Sequence, residues 1–224
     1  MFYVKEGKML LNITNGDYLN AKILKENDGE CFPFREATIQ GFLTLDILSE
    51  GFISARAKSL NVSEELYRQN ARELIYFTQA HFKYSNLRLW FGQDTFCQLN
   101  LLTLLALLEQ IEYRGEVDIL LIDDETGDIL GGVKDVKLGN YKEIYKSVLI
   151  DKKEPLELGV IDKTAIDLYF DYLSPNGRLA NLIKANQNLS KEELIVLLLD
   201  SSKEYGLSDL NIIELINRVE NKKI

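Results

Sequence analysis

Two short stretches carry the polar side chains with the most chemistry to offer. One is Asn15-Gly16-Asp17. The other is Trp90-Phe91-Gly92-Gln93-Asp94, followed closely by Asn100. Gathered around one cleft, Asn15, Asp17, Trp90, Gln93, Asp94 and Asn100 would make a site for a small polar or phosphorylated ligand, nucleotide-like in the extreme case. Asp17 and Asp94 could hold a divalent cation through water, or accept hydroxyls from a sugar or ribose. Helix N-termini would add amides for an anion, and Trp90 could stack on a flat ring or lie wholly in the core. The competing reading is plain: each Asp only caps its helix, worth about 0.5–2 kcal/mol.

Both stretches need the same scaffold. Met9 to Thr14 reads as a strand, and Tyr18 to Lys25 as the helix after it. Leu87 to Phe91 is a short apolar run that Gly92 punctuates at once, which suits a strand. From Phe96 to Ile111 the chain is apolar nearly all round, as in a helix buried on several sides. Asp94 or Thr95 opens it, and Thr95 with Gln98 has the capping-box pattern. The polar exceptions Gln93, Cys97, Asn100 and Thr103 fall on one stripe of that helix and must find partners, because an unpaired buried polar group costs about 1–3 kcal/mol.

Further strands are expected at Cys31 to Phe34, irregular or at an edge because of Pro33, and at Val117 to Ile122. Asp128 to Lys137 reads as a turn and a weaker strand or hairpin. Helical spacing starts near Ile53 and again after Ser63, running to about Tyr84. Strands alternating with helices predict an α/β fold with a Rossmann-like, mainly parallel sheet over residues 1–136. Residues 137–224 then read as an all-helical C-terminal region. Its helices are expected over Tyr141 to Leu149, Asp162 to Leu173, Asn176 to Asn186, Ser190 to Tyr205 and Ser208 to Val219. Ser190 with Glu193 forms a capping box.

Composition narrows the function classes. The 224 residues carry a net charge of −9 and a pI near 4.8, which argues against general binding to nucleic acid or anionic lipid. Two cysteines, Cys31 and Cys97, and one histidine, His81, lack zinc-ligand spacing. Reduced thiols in a cytoplasmic protein are the simplest reading. MFYVKEGKML lacks the apolar segment and cleavage site of a secretory signal, and Met9 could serve as a start. The apolar helix is too short and too interrupted to span a bilayer, which takes about 20 apolar residues. There is no G-x-G-x-x-G, P-loop, H-E-x-x-H or G-x-S-x-G motif. No cofactor and no reaction is indicated.

Leu11 to Asp17, the central Leu89 to Asp94 with Cys97 to Asn100, and Tyr205-Gly206-Leu207-Ser208 before an apolar helix resemble the bacterial domain of unknown function 1835 family. The resemblance implies no agreed activity. It implies that the Asn-Gly-Asp turn and the Trp-Phe-Gly-x-Asp turn mark a characteristic surface. Ser208-Asp209-Leu210 lacks the Thr-Glu pair expected there.

Other residues carry weaker readings. Cys97 near a helix N-terminus could be a reactive thiol, although a small core thiol is the default. Arg35 could anchor a phosphate, but an ion pair with Glu36 or another acid is the simpler role. Asp123-Asp124-Glu125 resembles a metal-binding cluster, yet acidic turns after strands are commonly just solvated. The alternative to a ligand site is a regulatory protein that meets a partner through its helical tail. Convergence separates the two readings. A ligand site needs Asp17, Asp94 and Asn100 on one concavity. A docking tail needs an exposed apolar patch over Leu194, Leu198, Leu210 and Ile213.

Overall fold

The computed structural model describes residues 9–123 and 126–221. Asp124 and Glu125 of the acidic run, and Lys222 and Lys223 at the end of the chain, lie outside the described residues.

Strand β1 (Met9–Asn15) leads through helix α1 (Asp17–Glu26) to β2 (Glu30–Phe34). A long loop and three helices follow: α2 (Glu50–Ser59), α3 (Glu64–Asn70) and α4 (Arg72–Ala80). Strand β3 (Tyr84–Phe91), helix α5 (Thr95–Gln110), β4 (Glu116–Ile122) and β5 (Ile129–Val133) complete a five-stranded sheet of order β2-β1-β3-β4-β5. The pairings β1–β2, β1–β3 and β3–β4 are parallel, and β4–β5 is antiparallel. Pro33 sits opposite Thr14 on the edge strand β2, a position open to proline because one side of an edge strand needs no ladder bond. The C-terminal region is helical: α6 (Tyr141–Tyr145), α7 (Lys163–Leu173), α8 (Arg178–Ala185), α9 (Lys191–Ser201) and α10 (Asp209–Asn221). The chain is thus an α/β protein with a mostly parallel sheet followed by helices.

The two sheet faces are unlike. Leu11, Ile13, Leu87, Leu89, Phe91, Val117 and Ile119 join the main core. The alternating residues turn the other way, as strand geometry requires. There Trp90 and Ile122 meet Leu19 and Ile23 of α1 in a small separate cluster. Helix α5 lies in the main core and also packs on α6 and α7. With sheet on one side and helices on another, it has no solvent face. That explains the run Leu99, Leu101, Leu102, Leu104, Leu105, Leu107 and Leu108, all buried, each worth roughly 1.5–3 kcal/mol relative to exposure. The same core continues into Tyr169, Ile183, Leu198 and Ile212 of the tail helices. No described helix is long and apolar enough to cross a membrane.

Several elements differ from expectation. The single helix from Ser63 towards Tyr84 is two. The chain breaks at Ala71 (φ −92°, ψ 6°), where Arg35 Nη1 donates to the freed carbonyl of Asn70 at 2.9 Å. Tyr84 belongs to β3, not to a helix. The helix from Tyr141 finishes in a π turn over Lys146–Ile150. The one from Ser190 ends at Ser201, although its capping box forms as read. The helix after Ser208 is opened by a reciprocal cap with Asn211: each backbone amide donates to the other's side-chain oxygen.

Candidate functional site

In a sheet of this order the succession of strands switches side between β1 and β3, and ligands of open α/β sheets bind at such a switch point outside the strands' carboxyl ends. Here the protein's own side chains fill that crevice. Asn100, fully buried on α5, donates through Nδ2 to Asn15 Oδ1 at 2.9 Å and to the Glu36 carbonyl at 2.7 Å. Its Oδ1 accepts from the Thr38 amide and hydroxyl at 3.2 and 2.9 Å. Asn15 Nδ2 donates to Cys97 Sγ at 2.9 Å. The Cys97 thiol donates to Asp94 Oδ2 at 3.1 Å, and the Cys97 amide donates to Asp94 Oδ1 at 2.8 Å. A hydrogen-bonded chain therefore runs from the loop after β2, through Asn100, Asn15 and Cys97, to Asp94. The polar stripe of α5 finds its partners here.

Asp94 is the N-cap of α5. The Thr95–Gln98 capping box does not form, because both side chains are drawn to the tail. Thr95 Oγ1 donates to the Ala165 carbonyl at 3.2 Å and lies 3.4 Å from that of Glu204. Gln98 donates to the Gly92 carbonyl at 2.8 Å and accepts from the Asp162 amide at 3.2 Å.

Asp17 and Trp90 do not join this group. Gly16 (φ 89°) takes the cap position of α1, and Asp17 makes no cap bond. Its carboxylate accepts from Arg35 Nε at 2.8 and 3.0 Å, and Arg35 Nη1 also reaches Glu73 at 2.7 Å. Arg35 is thus occupied by Asp17 and Glu73, and Glu36 turns inward to Arg56. Trp90 is 3% exposed and its Nε1 donates to Asn12 Oδ1 at 3.0 Å, so it is a core residue with a satisfied polar end. Trp90→Phe should cost about 1–2 kcal/mol in urea unfolding followed by circular dichroism, because Asn12 Oδ1 loses its donor.

An open concavity lies one strand further along, at the carboxyl ends of β3 and β4. It encloses about 360 Å³, within the size range of small-molecule sites. Gln93 and Asp94 line it with Asp123, Asp162, Glu204 and Lys203. Apolar wall comes from Ile122, Ala165 and Leu168. Leu130 joins them from β5, where a bulge between the Leu121 and Ile122 pairings shifts the strand. Bulges beside sites commonly re-aim a side chain in this way.

Each acid has a local fixing contact. Asp162 Oδ1 caps α7 through the Thr164 amide at 2.8 Å. Asp123 Oδ1 accepts from the Thr126 amide at 2.8 Å, and Glu204 pairs with Arg178. Four acids and one lysine give the concavity an acidic balance. Among the described residues, no group of three His, Cys, Asp or Glu is arranged to hold a metal ion.

The chain matches no family model, no curated protein and no solved structure.

Of the six residues read as one cleft, Gln93 and Asp94 line the concavity, and Asn15 and Asn100 are tied into the network behind it. Asp17 and Trp90 lie apart from both, so Asp17, Asp94 and Asn100 do not converge on one concavity as that reading required. Sequence reasoning missed Asp162, Lys203 and Glu204, which come from the tail. The capping residue Asp162 ahead of an apolar helix was the one visible signal, and nothing in it pointed to the β3 end. Of the four tail residues proposed as a patch, Leu194 and Leu198 are buried, Ile213 is half-buried and Leu210 is 68% exposed. Cys31 is pushed up to about 11 by burial, which makes it a poor nucleophile at neutral pH.

Proposed function

We propose that this protein binds a small polar molecule in the concavity at the carboxyl ends of β3 and β4. The observation that carries the reading is the 360 Å³ space lined by Gln93 and Asp94 together with tail residues. Its acidic balance favours an amine or a hydroxyl-rich group over a phosphate, since like charge at short range is unfavourable. The ligand's apolar part would lie against Ile122 and Leu168. Membership of the domain of unknown function 1835 family is part of the same proposal, and it rests on the sequence motifs. Gln93 and Asp94 of the Gly-Gln-Asp turn line this concavity, and Gly206 of the late motif packs against Asp94.

Thermal-shift measurements with spermidine, glucosamine, ribose and their phosphorylated counterparts test the reading on wild type and on Asp94→Asn. Asparagine caps a helix about as well as aspartate, so the variant keeps its fold. A compound at about 100 times its dissociation constant stabilises by roughly 2.7 kcal/mol, or about 5–10 °C in a chain of this size. The expected result is a shift with the amine or the free sugar that disappears in Asp94→Asn. No shift with any compound, or an equal shift in the variant, would sink the proposal.

A further inference from the structure

Strand β5 ends the sheet, and among the described residues no strand pairs with its outer side. None of the described residues covers it: every residue from Ile129 to Val133 is exposed. Ile129, Leu130 and Val133 are 58%, 55% and 40% exposed. An open edge presents unpaired amides and carbonyls to any second strand, so proteins normally place a lysine or proline within it. Ile129-Leu130-Gly131-Gly132-Val133 contains neither. Among the described residues the bulge at Leu130 is the one protection, and it leaves Gly131 to Val133 in regular pairing with β4.

The flanks say what the edge fits. Asp128 precedes the strand and Lys134 follows it, and both are exposed. Antiparallel docking about a two-fold axis near Gly131 sets each copy's Asp128 end beside the other's Lys134 end. Parallel docking would set like charges together. A two-fold contact uses the same patch on both copies and must therefore be self-complementary. This edge is self-complementary in charge, in apolar content and in backbone hydrogen-bonding groups. The glycines keep side chains out of the centre, where two backbones must approach closely.

We propose that two copies of this chain pair through their β5 edges, antiparallel, to form one continuous sheet across the dimer. The short regular segment makes the association reversible and dependent on concentration.

Sedimentation velocity over a wide concentration range tests this on the full chain. Wild type should pass from monomer to dimer. Asp128→Lys or Lys134→Glu alone should weaken the dimer roughly tenfold or more, because each reversal creates two like-charge contacts. The double variant carrying both changes should restore it. Hydrogen exchange gives a second readout: amides of residues 129–133 should gain protection as concentration rises. A wild type that stays monomeric at every concentration overturns the proposal. So does a dimer indifferent to both reversals, or one whose β5 amides exchange freely. Melting curves of each variant confirm that the fold is intact.

Discussion

Arg56→Met is expected to destabilise the protein by about 3–5 kcal/mol, the cost of leaving a buried charge without its partner. Arg56 is completely buried, and Glu36 is 8% exposed. Arg56 Nε donates to Glu36 Oε2 at 2.8 Å, and the Tyr67 hydroxyl donates to Glu36 Oε1 at 2.9 Å. The guanidinium also donates to the carbonyls of Gln40 at 2.7 Å and Ala37 at 3.1 Å. One side chain thus satisfies a buried acid and ties down the loop after β2, the same loop whose Thr38 and Glu36 backbone anchor Asn100. Methionine fills similar volume but offers no donor.

The pH dependence separates charge from packing. Burial already raises the Glu36 carboxyl above its ordinary value of 4.5, against the opposing pull of Arg56 and Tyr67. Without the guanidinium, burial acts with less opposition. Below 4.5 the carboxyl is protonated in both folded and unfolded chains, and the charge penalty vanishes. As pH climbs above that value the unfolded chain ionises first, so stability falls until the folded carboxyl ionises too. The deficit of Arg56→Met should therefore be smallest in acid and largest at neutral pH. Adding Glu36→Gln should recover much of it at pH 7. An equal deficit at pH 4 and pH 7 would mean that lost packing, not the orphaned carboxylate, is responsible. Urea unfolding of the single and double variants at the two pH values decides it.

This pair shows where the sequence could and could not be read. The strands and α5 were legible because apolar density and glycine punctuation act locally. Asp94 was legible as a cap for the same reason. Arg56 was hidden because the burial of a charge is decided by a partner far along the chain. A trace existed: in α2 the buried residues are Phe52, Ile53, Arg56 and Ala57, so an arginine occupies a position on the apolar stripe. The Asn-Gly-Asp and Gly-Gln-Asp turns look alike in sequence, yet they diverge in the structure. Arg35 draws Asp17 outward, while the Cys97 amide and thiol hold Asp94. Local similarity cannot rank such competitors. Nor can it show that α7 and the Lys203–Tyr205 turn close over the β3 end, because tertiary packing of the tail places them there.

Gly206→Ala is the second change with a large expected effect, a loss of about 2–5 kcal/mol. Gly206 follows the short 3-10 turn over Lys203–Tyr205 with φ 65° and ψ 32°. A left-handed conformation costs an L-residue roughly 1–2 kcal/mol. A Cβ there would also stand 2.6 Å from Asp94 Cγ and 3.0 Å from Phe96 Cβ, and overpacking of this kind adds about 1–3 kcal/mol. The Asp94 carboxylate cannot retreat easily, since both its oxygens are engaged by Cys97. A double-mutant cycle divides the two costs. Asp94→Ser shortens the side chain beneath Gly206 and keeps a capping hydroxyl. Gly206→Ala should therefore cost only the backbone part, about 1–2 kcal/mol, in the Asp94→Ser background. An unchanged cost there would place all of the strain in the backbone and none in the contact. The contact also reaches the proposed ligand. If Asp94 must shift to admit the new methyl, Gly206→Ala should abolish the thermal shift with amine or sugar even below its melting range. A folded Gly206→Ala with wild-type affinity would mean that the ligand does not read the position of Asp94.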